Sequence, residues 1–337
     1  MTPRWEDLDA RARGLATHLL GAATLAALAG APDVPALAAA LRRLGYAVPE
    51  GAASPAALEV AVRRMAAARL GVLARWAGPR TALLAVVFED EDRRSLRALV
   101  RGALAQAPAE ARLAGLVPTP ALPERALREL ASQASPAAIA ALLTAWRHPY
   151  GPALRGPAAA AQPDPLALEL ALNRTFAARA VRTARRSRAL LDYVRETIDL
   201  ENAYTALALA GAGEERGLQP RDAFLAGGAR LDSAAFEAAA AAATPAAAGR
   251  RLARALAGAS FAPAFDAYAG DPARLEEAVL RLRLRALERA MRTAPLGPAP
   301  VLAYALRLRA ETVALCRIIW GIALGAPPEV LAAEGAP

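Results

Sequence analysis

The chain has 337 residues, a formal net charge of +9 and a composition dominated by Ala, Leu and Arg, with a single cysteine. All 41 of its basic side chains are arginine, which excludes a lysine-containing phosphate loop, a Schiff base and a catalytic lysine. The length allows two or three ordinary domains with sizeable cores. The lone Cys316 cannot form an internal bridge, which fits a reducing compartment. Ala, Leu and Arg are strong helix formers, whereas β-branched and aromatic residues are scarce, so the expected fold class is all-α.

The N-terminal stretch MTPRWEDLDARARG carries acids where a signal peptide would carry a basic and then an apolar region. The apolar run Leu19 to Pro32 is too short to span a bilayer, and Val313 to Pro327 is interrupted by Arg317. We therefore expect a soluble cytoplasmic protein whose membrane association, if any, is peripheral. Pro and Gly punctuate the rest of the chain. Breaks are expected at Gly30–Pro35, Val48–Pro55, Gly78–Pro79, Val117–Pro123, Pro149–Pro157, Gly211–Pro220, Ala226–Gly228, Pro295–Pro300 and Gly325–Pro328.

Between these breaks the pattern is helical. In the segment 81–104, Leu84, Val87, Phe88, Leu96, Leu99, Val100 and Ala103 recur at steps of three and four. Asp90, Asp92, Arg93, Arg94 and Arg97 are assigned to a wet face. Arg179, Arg182 and Arg186, also spaced by three and four, are expected to share one helix face. Phe236 to Gly249 is read as a short helix broken at Pro245. The alternation RLRLR (281–285) resembles a strand, but it lies inside Pro272 to Thr293, which is too long and too poor in β-branched residues, so a helix is expected.

An internal repeat is visible. With an offset of 107, Ala82, Leu83, Leu84, Val87 and Asp92 fall on Ala189, Leu190, Leu191, Val194 and Asp199. A fainter third copy, offset by 110, places Asn202 on Thr312. In each copy a polar residue then precedes an apolar one: Ser95 and Leu96, Asn202 and Ala203, Thr312 and Val313. The expectation is three helical domains: 1–108, 109–215 and 216–337.

No catalytic constellation emerges. His18 and His148 have no Cys or carboxylate at ligand spacing, so no metal is expected. Cys316 sits in an apolar helical pattern and reads as a buried, inert thiol. Gly211–Gly217 (GAGEERG) has the wrong glycine spacing for a dinucleotide loop, and Glu214 and Glu215 would face the pyrophosphate. Carboxylate clusters such as 89–92 or Glu276 and Glu277 carry no mark of a general acid. Asn202 shares an apolar stripe with Val194 and Ile198, so its amide must find buried partners. We read it as a residue that fixes the core.

Several segments, in order, resemble the connecting subunit of V/A-type rotary ATPases, the component that occurs in bacterial and archaeal enzymes and has a counterpart in vacuolar ones. Leu8 to Leu20 resembles the opening helix, with Ala10, Arg11, Arg13, Leu19 and Leu20 in place. Tyr193 to Leu209 resembles the family's acidic-Asn helix, with Asp199, Glu201 and Asn202. Phe224 to Asp232 resembles the turn that follows, with Gly227 and Gly228. Pro295 to Ile319 resembles the terminal segment, with Pro295, Leu296, Gly297, Tyr304, Glu311 and Leu315. Ser95 stands where the family more often has Asn.

The resemblance implies three similar helical domains arranged as a funnel. It implies a non-catalytic central-stalk adaptor on the cytoplasmic side of a membrane complex, which links the rotating shaft to the rotor ring and transmits torque for ion transport coupled to ATP hydrolysis or synthesis. The implied partners are the rotor-ring proteolipid and the shaft subunits, with no direct membrane insertion and no nucleic acid. No catalytic residue, cofactor or metal is implied. Arg11, Arg13, Arg179, Arg182 and Arg186 are candidate partner contacts. The alternative reading is a basic helical-repeat binding protein that meets nucleic acid, although no aromatic residues are interleaved with the arginines.

Overall fold

A computed structural model describes residues 5–51, 54–210, 219–293 and 297–333, and these form helices joined by short connections with no strand among them. In chain order the helices are α1 (Glu6–Ala16), α2 (Ala22–Ala29), α3 (Val34–Arg43), α4 (Pro55–Ala77), a 3-10 turn (Gly78–Arg80), α5 (Thr81–Leu104), α6 (Ala109–Arg112), α7 (Glu124–Ala131), α8 (Pro136–Ala145) and α9 (Gly151–Ala158). They continue with α10 (Pro165–Ala184), α11 (Arg188–Leu209), α12 (Pro220–Ala223), α13 (Ser233–Ala240), α14 (Pro245–Ala255), α15 (Ala262–Asp266), α16 (Pro272–Thr293), α17 (Ala299–Ala323) and α18 (Pro328–Ala333). The all-α expectation holds.

Helix starts follow a recurring local rule. Five helices open on a Ser, Thr or Asp followed directly by Pro: α4 after Ser54, α8 after Ser135, α10 after Asp164, α14 after Thr244 and α16 after Asp271. In each, the side-chain oxygen accepts an orphan amide two or three residues on, as from Ala57 at 3.2 Å to Ser54 and from Ala167 at 3.1 Å to Asp164. The proline supplies a preset φ where its missing N–H does no harm.

The RLRLR segment is helical within α16. The Ala-rich stretch breaks at 241–244, with Pro245 opening the next helix. One expected break is narrower than the sequence suggested. Only 146–150 is non-helical, because α9 occupies 151–158 and tolerates Pro157 near its end. The Gly211–Gly217 loop, Pro295 and Leu296 lie outside the described residues.

The helices group into two compact units: Trp5–Leu168 with 300–333, and Glu169–Ala299. In the larger unit, α2, α3 and the start of α4 share one core with the end of α17 and with α18. Leu25, Leu37, Leu41, Leu58, Leu315, Ile318 and Ile319 are among its buried members. Residues from both ends of the sequence therefore make one core, and each fully buried Leu or Ile contributes about 1.5–3 kcal/mol. In the smaller unit, α11 packs on α12, α13 and α14. Phe236, Phe261 and Phe265 are fully buried there, with ring pairs Phe261–Phe265 at 6.1 Å and Phe224–Phe236 at 5.5 Å between centroids.

The stretch 55–104 is long enough and, at a mean hydropathy of 1.2 in its best window, apolar enough to cross a membrane by those two measures. It is instead broken at Gly78, whose φ of +54° ends α4, and it buries Glu59, Asp92 and Arg93 in the unit's core. A helix that sinks charged residues into a protein core is a core helix.

Helices α8 and α9 meet closely at Gly151, where a β-carbon would lie 2.5 Å from the Thr144 amide nitrogen. Gly14, on α1, has nothing within 4 Å of that position apart from its chain neighbours. Gly151→Ala should therefore destabilise the protein by about 1–3 kcal/mol through overpacking. Gly14→Ala should stabilise it by about 0.5–1 kcal/mol through lower unfolded-chain entropy. Denaturant unfolding of the two variants reads both signs.

Candidate functional site

The polar residues that the sequence singled out are mostly buried, and they work by holding loops. On α11, Asp199 is fully buried and its two carboxylate oxygens accept three successive amides: Ala229 and Arg230 at 3.0 Å and Leu231 at 3.2 Å. Burial raises its carboxyl above the usual range, and the three amides offset part of that rise. One turn on, Asn202 is equally buried. Its amide nitrogen donates to the Leu225 carbonyl at 2.9 Å, and its oxygen accepts the Leu225 N–H at 2.8 Å.

Two adjacent side chains on one helix thus grip both ends of the 225–231 loop. The glycines of that loop are there for the same reason. Gly227 adopts a φ of +110°, and a β-carbon on Gly228 would lie 2.1 Å from Asp199 Oδ1. Glu201 is buried on the same helix.

In the larger unit the counterpart is Glu311 on α17. It accepts the Leu20 amide at 2.5 Å, the Tyr46 hydroxyl at 2.8 Å and a guanidinium N–H of Arg69. Arg69 also donates to the His18 carbonyl at 2.8 Å. Glu311 thereby fixes the loop between α1 and α2, 291 residues away in sequence. Tyr304 is buried two turns earlier, and burial pushes its phenol up to about 12.

The third instance is Asp92 on α5, at the repeat position of Asp199. It accepts the Thr119 hydroxyl, and Thr119 Oγ1 in turn accepts the Leu122 amide at 3.0 Å. The side chains at 92, 199 and 311 each anchor a loop. Of the trio Ser95, Asn202 and Thr312, Asn202 bonds such a loop, whereas the Thr312 hydroxyl donates to Leu308 within its own helix at 2.8 Å.

This corrects the wet face assigned to the segment 81–104. Asp92 is 2 % exposed and Arg93 is fully buried. The step was legible in the sequence: 84, 88, 92 and 96 are spaced by four, so Asp92 lies on the apolar stripe itself. Asp90 sits among cations, with Arg93 at 2.6 Å, Arg94 at 3.0 Å and Arg309 at 4.0 Å. Burial works against its charge, but the guanidiniums of Arg94, Arg93 and Arg309 outweigh it and hold its carboxyl well below the usual range.

Sequence reasoning missed Glu59. It lies on the stripe 59, 62, 66, 70, 73 of α4, accepts the Trp320 indole N–H at 2.7 Å and accepts the Gly115 amide. It ties α4, α17 and the loop after α6 together.

The candidate partner arginines are scattered by comparison. Arg11 and Arg13 are exposed on α1, where Arg11 lies 5.4 Å from the Trp76 ring centre and Arg13 lies 3.6 Å from Asp9. Arg182 is exposed and Arg179 half-buried on α10, whereas Arg186 falls in the turn beyond the helix end at Ala184. The single face expected for the last three is therefore cut short. Cys316 is half-buried, and burial pushes its thiol up to about 12, which leaves it unreactive near neutrality.

A family model described as ATP synthase (C/AC39) subunit matches residues 8–334. The chain belongs to this family. The match spans almost the whole chain, so both units and all three loop anchors lie within it. The family is a structural component of V/A-type ATPases, which are membrane-associated complexes. A search of curated proteins finds no match.

Asp92 differs from the other anchors in its surroundings. Burial pushes its carboxyl up to about 7, with Glu89 and Glu91 adding like charge and the Thr119 hydroxyl pulling the other way. The folded value lies above the unfolded one, so the native state binds more protons between about pH 4 and pH 7. Stability from this group is fully present at the acid end of that window and is lost as pH rises through about 7. Asp92→Asn keeps an acceptor for Thr119 and removes the charge. The variant should match or exceed the wild type in stability at pH 8, by up to about 4 kcal/mol, and should show a shallower loss of stability with rising pH across that window. Unfolding at pH 4 to 8 would contradict this if both proteins showed the same slope.

Proposed function

We propose that this chain is the central-stalk adaptor of a V/A-type rotary ATPase, joining the rotating shaft subunits to the membrane rotor ring and transmitting torque between ATP hydrolysis or synthesis and ion translocation. The observation that carries the reading is the family match across residues 8–334. In this reading the chain has no active site of its own, holds no metal or cofactor, and lies peripherally on the cytoplasmic side of the membrane. Its three repeats, 1–108, 109–215 and 216–337, form the family's funnel.

The physical construction supports the role. A torque adaptor must not yield between its two partners, and close-packed helical interiors transmit strain. Connections are where a helical protein is softest. Here the loops at 20, 119–122 and 225–231 are bolted to long helices by buried side chains. Arg11, Arg13, Arg179, Arg182 and Arg186 suit acidic surfaces, and charge of this kind sets docking rate and specificity.

Affinity capture of the chain from gently solubilised native membranes should recover the rotor-ring proteolipid together with shaft and ATPase subunits. The yield should fall as salt is raised. Capture of none of them, from membranes that contain an intact rotary ATPase, would overturn the adaptor role. Salt-independent capture would overturn the electrostatic docking alone.

A further inference from the structure

The RLRLR motif at 281–285 has its middle arginine turned into the smaller unit and its outer two turned away from it. Arg283 is buried, donates to the Thr197 hydroxyl at 2.9 Å and lies 4.8 Å from the Tyr193 ring centre, which pins α16 to α11. Residues two places before and after it fall on the opposite face of a helix. Arg281 and Arg285 are exposed there, and the exposed Arg289 and Arg292 continue the same line at steps of four and three. Among the described residues, none of these four makes a hydrogen bond or an ion pair. We propose that this row is a docking surface for an acidic helix of a partner protein, one that carries carboxylates at steps of three and four.

The spacing favours a helix as the occupant. From Arg281 to Arg292 the row runs straight for about 16 Å, with a guanidinium every ~6 Å or less. Carboxylates at the same steps on another helix repeat at the same interval. Two such helices laid side by side therefore bring successive forks onto successive carboxylates, the pairing that a guanidinium makes best. The helix's own acids Glu277 and Glu288 lie along one flank of the row, which keeps it narrow. The Arg283 anchor on the far side sets the rotation of α16, so the row faces outward before any partner arrives.

Other anionic surfaces fit less well. A helix that lies on a membrane sinks its apolar face among the lipids, but Leu275, Val279 and Leu284 of α16 are buried in the protein. The large apolar side chains that are exposed among the described residues, from Leu44 to Val330, all belong to the larger unit. The smaller unit thus offers a partner charge rather than apolar area. A nucleic-acid strand is gripped by stacking as well as by charge, and α16 carries no aromatic residue. The row's chemistry is independent of the adaptor role, so the two stand or fall separately.

The test uses the purified full chain and a fluorescent helical peptide with glutamates in a row along one face. A second peptide has the same composition with its glutamates spread around all faces. Two variants are compared with the wild type. One is Arg285→Gln with Arg289→Gln, in the row. The other is Arg250→Gln with Arg254→Gln, an exposed pair at the same spacing on α14. Fluorescence anisotropy at constant ionic strength should show the row peptide binding saturably and about tenfold more tightly than the spread peptide. The row variant should weaken it about tenfold, and the α14 variant should leave it unchanged. No saturable binding of the row peptide, equal binding of the two peptides, or equal losses in both variants would overturn the proposal. Tighter binding of short duplex DNA or of phosphatidylglycerol vesicles, with the same dependence on Arg285 and Arg289, would also overturn it and assign the row to phosphate. Circular dichroism of the variants separates lost binding from lost fold.

Discussion

A carboxylate or amide placed on the buried stripe of a helix must find hydrogen-bond partners, because leaving it bare costs more than a single bond returns. In this protein that constraint organises the connections. Asp199 and Asn202 draw the 225–231 loop onto α11. Glu311 draws Leu20, Tyr46 and Arg69 onto α17, and Asp92 draws Thr119 onto α5. The glycines at 227 and 228, the tyrosine at 46 and the threonine at 119 follow from what each acid needs beside it. Glu59 extends the same logic to α4 and the Trp320 indole.

The consequence is mechanical. Short helices joined by loops make a soft assembly unless the loops are held, and apolar packing alone does not fix a loop's backbone. A buried carboxylate with three amide donors fixes it in direction as well as distance. That is a sensible construction for a member of the ATP synthase (C/AC39) subunit family, whose proposed task is to pass rotation from one partner to another without yielding. The anchors are not equivalent, however. Asp199 faces backbone amides, Glu311 faces a cation and a phenol, and Asp92 faces a hydroxyl with like charges nearby, so burial lifts the Asp92 carboxyl with little to offset it.

Much of this was legible in the residues. Helix class follows from Ala, Leu and Arg, and helix starts follow from Ser-Pro, Thr-Pro and Asp-Pro pairs, because cap and preset φ are local chemistry. The motif residues Asp199, Asn202, Gly227 and Gly228 are picked out as a set through the resemblance to the connecting-subunit family, and Asn202 also as an amide on an apolar stripe. What they bond could not be read, because the partner loop lies some twenty to thirty residues on for Asn202 and Asp199 and 291 residues back for Glu311. The error at Asp92 and Arg93 has a different origin. Charge was taken as a sign of solvent, although their spacing put them on buried positions. The exposed arginines carry no such geometric signature, and their spacing of three and four did not survive the helix end at Ala184.

Stiffness of this kind requires the anchored loops to be as firmly held as the helices they touch. Amide hydrogen exchange at Leu225, Ala229, Arg230 and Leu231, measured beside the interior amides of α11, tests that directly. If the anchors hold, these loop amides exchange only through global unfolding, at rates matching the helix interior. Exchange orders of magnitude faster than α11, through local opening, would contradict the claim that buried polar side chains make these connections stiff.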